Sequence, residues 1–417
     1  VSGYCSPEML GRCGGGVGPG SDVFFLGCIL YYALGRVRPM VEISETQERL
    51  PPPNIFYDEI PPELCAVACR ATSPIIGRRH ADVRILHQDL HWALQTAKRR
   101  AAFIERPRLH LDIGQEIHIG LLKGRSVPVN QDDLFVGYNE RTRTGLFLIS
   151  DGVSISRYGT GDMASRCVRL EATRLWERIS SEPGLDDTQT VNAHFDETLD
   201  GGEDERSGTV PGTLRSTEGK KALLRQMLDA ANRRIGMTVE DQIPPGTDRP
   251  EGVMAATALA LHLEDGIATY TYIGDSRIYL IRDGYIARLS IDHNLSTQLI
   301  RMNRPPRVAR SVAGRNALVR CVGDFERSMD GRLIPQPLQP EFGHIELMAG
   351  DSIVMCSDGG VDYAGFDEED AERAILDAVE SAADARLAAF ELMILANRGG
   401  GGDNISCIVL NFSEDGA

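Results

Sequence analysis

Leu148-Ile149-Ser150-Asp151-Gly152 reads as an apolar strand that ends in an acid and a glycine. A carboxylate at the end of a buried strand is held rigidly, and the glycine beside it, lacking a Cβ, lets backbone or ligand come close. The same device recurs along the chain. Asn130-Gln131-Asp132-Asp133, Ile273-Gly274-Asp275-Ser276-Arg277, Met355-Cys356-Ser357-Asp358-Gly359-Gly360 and Gly401-Gly402-Asp403-Asn404-Ile405 each set an Asp in a turn with Gly or Asn. One Asp-Gly is ordinarily only a turn. Five hard oxygen donors on strand ends are what Mg2+ or Mn2+ requires, because these ions take carboxylates, carbonyls and water. If the five acids converge, their mutual repulsion calls for cations.

The flanking sequence predicts sheets covered by helices. Leu134–Tyr138 and Leu146–Ser150 flank a polar turn, and Ala255–Leu263 and Ile267–Gly274 flank Asp265-Gly266, a dipeptide suited to a two-residue hairpin. Asp283-Gly284 repeats it. Between these groups Ala164, Val168, Ala172, Leu175 and Ile179 share one helical face, and Leu224, Met227, Leu228, Ala231 and Ile235 another. Hairpins and long helices on one chain give an α+β class.

The whole chain has 417 residues, enough for two or three domains at ~150 residues each. Its 44 Lys+Arg against 60 Asp+Glu leave a formal charge of −16, a field that repels nucleic acid and anionic membrane. The longest strongly apolar run, Val23 to Leu34, falls well short of the ~20 residues that span a bilayer. With no signal segment at its head, the sequence reads as cytoplasmic, with neither nucleic acid nor membrane as partner. The nine cysteines contain no C-x-x-C pair, which fits reduced thiols better than disulfides or zinc.

Ahead of the acids the texture is helical. Ser21 to Leu34 reads as a buried helix, Pro62 to about Ala71 as a second and roughly Ala81 to Arg100 as a third. Lys98, Arg99, Arg100, Arg106 and Arg108 mark a solvated helix end and linker. The domains are therefore set at 1–100, a linker at 101–111, and 112–417. Few contacts are expected to cross the boundary, and the front part is expected to be dispensable for chemistry. Residues 182–205 carry nine acids and no Lys or Arg, so a mobile acidic insertion is expected at about 182–216.

Taken together, Asn130-Gln131-Asp132, Ile149-Ser150-Asp151-Gly152 with Gly161-Asp162-Met163-Ala164-Ser165, Gly274 to Tyr279 with Asp292-His293-Asn294, Ser357-Asp358-Gly359 and Asp403-Asn404 resemble, in order, the motifs of the metal-dependent Ser/Thr protein phosphatases called PP2C or PPM. The resemblance implies an αββα sandwich, two antiparallel sheets flanked by helix pairs, with two Mn2+ or Mg2+ ions and a weaker third at one end. It implies that Asp151 bridges two ions and Asp132 and the Gly152 carbonyl serve the first. Asp358 and Asp403 would hold the second, and Asp275 with Asp358 the third. Asp151 and Asp132 would be the catalytic acids, acting through a dimetal-activated water that hydrolyses phosphoserine and phosphothreonine on proteins. Phosphoproteins are the implied partners, with Ser/Thr kinases or their targets among them.

The pattern departs from that family in three places. Val153 stands where animal members often have His. Val127 stands where a phosphate-binding Arg is often found, which leaves Arg125, two residues away, as the phosphate-binding candidate. Arg157 in the loop after Asp-Gly is read as a solvated loop cation, with recruitment to phosphate as the alternative.

Residues 3 to about 97 resemble the C-terminal lobe of a Ser/Thr protein kinase. Gly3-Tyr4-Cys5-Ser6-Pro7-Glu8 is similar to the end of an activation segment and Asp22-Val23-Phe24-Phe25-Leu26-Gly27 to the helix after it, and Arg79 is expected to pair with Glu8. The glycine-rich loop, strand Lys, H-R-D and D-F-G motifs are all missing from the sequence, so no phosphotransfer from ATP is expected. The leading reading is a kinase-phosphatase fusion with the phosphatase intact; the alternative is a weak or inactive regulatory scaffold.

Overall fold

The computed structural model describes residues 3–11, 16–39, 49–57, 60–101, 108–181, 216–244, 247, 252–328 and 332–414. The acidic stretch expected to be a mobile insertion lies almost wholly outside the described residues. In the front segment α1 spans Pro19–Gly35, α2 Pro62–Ala71 and α3 Val83–Ala101, each within two residues of its sequence-predicted span at both ends. There follow β1 (Leu109–His118), α4 (Lys123–Ser126), β2 (Asp132–Asn139), β3 (Thr144–Asp151), α5 (Gly161–Ser181) and α6 (Thr217–Val239). A run of short strands comes next: β4 (Ala258–Glu264), β5 (Ile267–Ile273), β6 (Arg277–Arg282) and β7 (Tyr285–Arg288). The last part holds α7 (Leu295–Arg301), α8 (Pro306–Ser311), β8 (Phe325–Arg327), β9 (Leu333–Pro335), β10 (Glu341–Glu346), β11 (Ser352–Cys356), α9 (Asp358–Asp362), α10 (Glu368–Ser381), α11 (Ala385–Arg398) and β12 (Ile405–Glu414).

Two five-stranded sheets form, in the orders β1-β12-β11-β6-β7 and β10-β5-β4-β3-β2, and every pairing is antiparallel. Alternation along the strands sorts the side chains into layers. On β3, Phe147 and Ile149 point between the sheets against Leu259, Leu261, Ile278, Met355 and Ile408, while Leu146 and Leu148 point outward under α5 and α6. On the far side Tyr279, Val354 and Val409 pack beneath α10 and α11. Both faces of each sheet are thus covered, which explains why the central strands read as unbroken apolar runs rather than alternating ones. Asp265 and Gly266 both take positive φ, at 52° and 69°, as a two-residue hairpin of the I′ kind requires.

The front segment makes many contacts with the sandwich, which corrects the expectation of a sparse boundary. The Arg282 guanidinium, at the end of β6, meets Glu63 of α2 at 2.6 Å and Asp351 at 2.6 and 2.7 Å, and all three side chains are fully buried. Trp92 stacks on Tyr285 with ring centroids 4.4 Å apart and donates its indole N–H to Asp283 at 2.9 Å. Arg49 pairs with Glu372, and Arg78 with Asp370. The physical reason is that α2 and α3 leave polar and aromatic groups on the face that receives β7, so ion pairs and an aromatic stack join the parts there. β1 starts at Leu109 and pairs with β12 along its length, so the sandwich begins within the span assigned to the linker. Inside the front segment, Arg79 does clasp Glu8, at 2.7 and 3.0 Å with both side chains fully buried.

Candidate metal centre

The antiparallel register of β2 and β3 sets Asp132 directly opposite Asp151. Asp132 is buried; Ser406 donates to its Oδ2 at 2.7 Å and its backbone N–H donates to Asn130 at 3.0 Å. Asp151 is anchored through Thr257, whose Oγ1 accepts the Asp151 N–H at 3.0 Å and lies 2.8 Å from Ser276 Oγ. Thr257 thereby ties the end of β3 to the turn that carries Asp275. That turn needs glycine: Gly274 has φ +112°, and a Cβ there would stand 2.6 Å from Thr257 Cβ. Gly152 has no room for a side chain either, since a Cβ would lie 2.1 Å from the Gly161 carbonyl oxygen. Asp358 opens α9 after β11, and Asp403 opens the turn into β12. The second acid of the Asp132-Asp133 pair points elsewhere and binds Arg169 at 2.7 Å.

These acids act on one another. Burial, then Asp132, Asp358 and Asp275, push the Asp151 carboxyl well above the usual carboxylate range. Burial, and more weakly Asp403, raise Asp132 to about 6 against hydrogen bonds from Ser406 and Ser357. Burial, then Asp362 and Asp403, raise Asp358 to about 7. Asp275 is pushed well above the usual range by burial, then by Asp358 and Asp292. Like charges crowded in a poorly solvated place disfavour ionisation, and a shared proton or a cation relieves them.

Asp132 Oδ1 and Asp358 Oδ1 are buried atoms with no hydrogen-bond partner. Buried carboxylate oxygens are almost always satisfied, so two orphans on adjoining acids mark a place for a hard cation. Among the described residues no three His, Cys, Asp or Glu side chains already close around an ion position. The donor chemistry and the orphaned oxygens fit divalent cations.

Sequence reasoning missed Lys123. Its Nζ reaches Asp403 Oδ1 at 2.7 Å and Ser154 Oγ at 2.9 Å, whereas Arg125 of the same short helix is exposed. The chain at 120–123 folds back on 397–403: Leu121 N–H donates to Asn397, and the N–H groups of Leu122 and Lys123 donate to the Gly401 carbonyl at 2.9 and 3.0 Å. Counting residues back from Asp132 led to Val127; the lysine carries no local signal, since the fold-back alone brings it to Asp403. Arg157 is exposed, with its guanidinium over Tyr158.

No protein-family model matches the chain. Protein phosphatase PhpP of Streptococcus pneumoniae is 28% identical over 191 residues, 46% of this chain and 68% of PhpP. Serine/threonine protein phosphatase PstP of Mycobacterium tuberculosis is 31% identical over 183 residues, 44% of this chain and 32% of PstP. A solved S. agalactiae serine/threonine phosphatase superposes with a TM-score of 0.52 at 20% identity, covering 72% of this chain and 99% of that one. The sandwich has the PP2C-like fold.

Proposed function

We propose that the chain is a PP2C-type protein phosphatase that hydrolyses phosphoserine and phosphothreonine on proteins with the aid of two Mn2+ or Mg2+ ions. The observation that carries this is the facing of Asp132 and Asp151 across β2 and β3, together with buried oxygens on Asp132 and Asp358 that have no partner. Asp132, Asp151 and the Gly152 carbonyl would hold one ion and Asp358 and Asp403 the other, with Asp275 and Asp358 for a weaker third. Bound there, the ions would supply a water activated for attack on phosphorus and neutralise the phosphoryl oxygens.

The chain's own residues do the positioning. Ser406 and Asn130 fix the rotamer and backbone of Asp132, and Thr257 fixes Asp151 relative to the Asp275 turn. Lys123 presents an ammonium at the edge of the acids, suited to a phosphate oxygen, and exposed Arg125 would meet the substrate beyond it. The relatives named above are phosphatases, which supports the same chemistry here. Cytoplasmic action is proposed because seven of the described cysteines, from Cys28 to Cys407, are free thiols. The partial kinase lobe, with its buried Glu8–Arg79 pair, would link the chain to kinases or their targets.

A non-catalytic scaffold is the second reading, and Lys123 favours it, because an ammonium on Asp403 already offsets part of the charge. Release of phosphate from a phosphothreonine peptide, with and without Mn2+, decides between them. Metal-dependent release is expected; none at any Mn2+ concentration leaves the scaffold.

A further inference from the structure

We propose that the front segment is a positioning clamp for the candidate centre: the turn Pro53–Ile55 holds the Gly274-Asp275 turn and the α7–α8 pair in place, with Asn54 and Ile55 as the positioning residues. Its effect on catalysis rests on the function proposed above, while its effect on the turn rests on geometry alone.

The clamp has an apolar and a polar part. Ile55 is 7% exposed and completes a small core with Ile291, Ile300 and Ala309, so the described packing beneath α7 and α8 includes a residue from the front segment. The Ile55 carbonyl accepts a hydrogen bond from Arg301 Nε at 3.2 Å. The same guanidinium forks onto Glu341 at 3.0 and 3.4 Å. Glu341 Oε1 lies 3.4 Å from His293 Nε2, and Glu341 also accepts the Tyr272 hydroxyl at 2.7 Å. His293 in turn takes both backbone groups of Gly274: its Nδ1 accepts the Gly274 N–H at 3.2 Å and its own N–H donates to the Gly274 carbonyl at 2.9 Å. A series of contacts therefore runs from Ile55 to the residue before Asp275, hydrogen-bonded at every step except that between Glu341 and His293, where Nε2 lies 3.4 Å away and makes no hydrogen bond.

A second route begins at Asn54, whose Nδ2 donates to the Arg288 carbonyl at 3.0 Å. The Arg288 side chain holds Asp292 and, at 2.7 Å, Glu368; Asp292 also binds Arg277, two residues past Asp275, at 2.8 Å. Charged groups already committed to a carboxylate have fixed orientations, so the backbone contacts from Asn54 and Ile55 constrain them further at little added entropic cost. Loss of the front contacts frees both flanks of Asp275 at once.

The test uses the full chain, comparing wild type with Ile55→Ala, Ile55→Val, Asn54→Ala, the Asn54→Ala/Ile55→Ala pair and Trp92→Phe. Amide hydrogen exchange is read over residues 272–278 and 290–301, together with the melting temperature and kcat and KM for p-nitrophenyl phosphate with Mn2+. The pair is expected to speed exchange at 272–278 by about tenfold and to lower kcat by about the same factor while KM moves less than about twofold. Ile55→Val restores both, and Trp92→Phe, which weakens the same docked surface away from the turn, leaves both at the wild-type value. Should the pair fail to fold, Asn54→Ala alone is read in the same way.

Wild-type exchange at 272–278 in a folded pair variant overturns the clamp, as does an equal rise in Trp92→Phe. Faster exchange with unchanged kcat overturns its catalytic role. If the wild-type chain releases no phosphate, the proposed function fails, and the exchange data still decide whether the clamp exists.

Discussion

Glu63 and Arg282 stand 219 positions apart in the chain and meet at 2.6 Å with both side chains at most 2% exposed. Asp351 holds the other side of the same guanidinium. A buried pair of this kind is weak evidence of stabilisation, because desolvating the charges offsets most of their attraction. Breaking it is another matter. Arg282→Met leaves two carboxylates buried without their cation and is expected to destabilise the chain by about 3–5 kcal/mol in urea unfolding. Glu63→Gln, which keeps Asp351 paired, is expected to cost clearly less. Equal losses in the two variants would mean that Asp351 alone does not satisfy the arginine.

Divalent cations should stabilise the fold whether or not turnover is measured. The acids around Asp151 repel one another, so an ion that binds only the folded chain adds about 2.7 kcal/mol at a hundred times its Kd. Mn2+ is expected to raise the melting temperature, EDTA to reverse the rise, and Asp151→Asn to abolish it while leaving the far-ultraviolet circular dichroism unchanged. A full Mn2+ shift in Asp151→Asn would remove Asp151 from the ligand set.

Lys123→Ala should raise KM for a phosphothreonine peptide by about tenfold and lower kcat by less, as the loss of a ground-state phosphate contact does. Arg125→Ala should have the smaller effect, because its side chain is exposed. A larger KM change in Arg125→Ala returns the phosphate contact to that residue.

Two buried histidines should oppose folding as the pH falls below 6.5. Burial, then Lys220, hold His262 down at about 3, and burial, then Arg70, hold His80 down at about 4, both below the ordinary 6.5 of a free imidazole. A base whose folded pKa is depressed lends stability that is present above the unfolded value and lost as pH falls through and below it. Between pH 6.5 and about 4 each histidine should therefore remove up to about 1.4 kcal/mol per pH unit. His262→Leu should flatten the pH dependence of the urea midpoint over that window; an unaltered slope would show that His262 is solvated.

The strands were legible because hydrophobic runs and Asp-Gly turns are local signals, and the acids because each sits where such a run begins or ends. Gly152 and Gly274 announced tight approaches that the structure realises against Gly161 and Thr257. Lys123 was hidden because a fold-back of the chain, rather than spacing along it, carries it to Asp403. The docking of the front segment was hidden as well: Arg282 before an Asp-Gly turn looks like any polar strand end, and nothing local points to Glu63. The acidic stretch and residues 102–107 lie outside the described residues, so the sequence reading stands alone there.

The facing of Asp132 and Asp151 across β2 and β3 also bears on how this chain tolerates changes in length. Side chains alternate along a strand, so one residue added or removed inside either strand would carry its acid to the opposite face of the sheet. The turn at 140–143 lies beyond the last paired residues, Asn139 and Thr144, and has no such constraint. In a library of single-residue insertions across 130–152, active clones should collect in that turn and be absent from both strands.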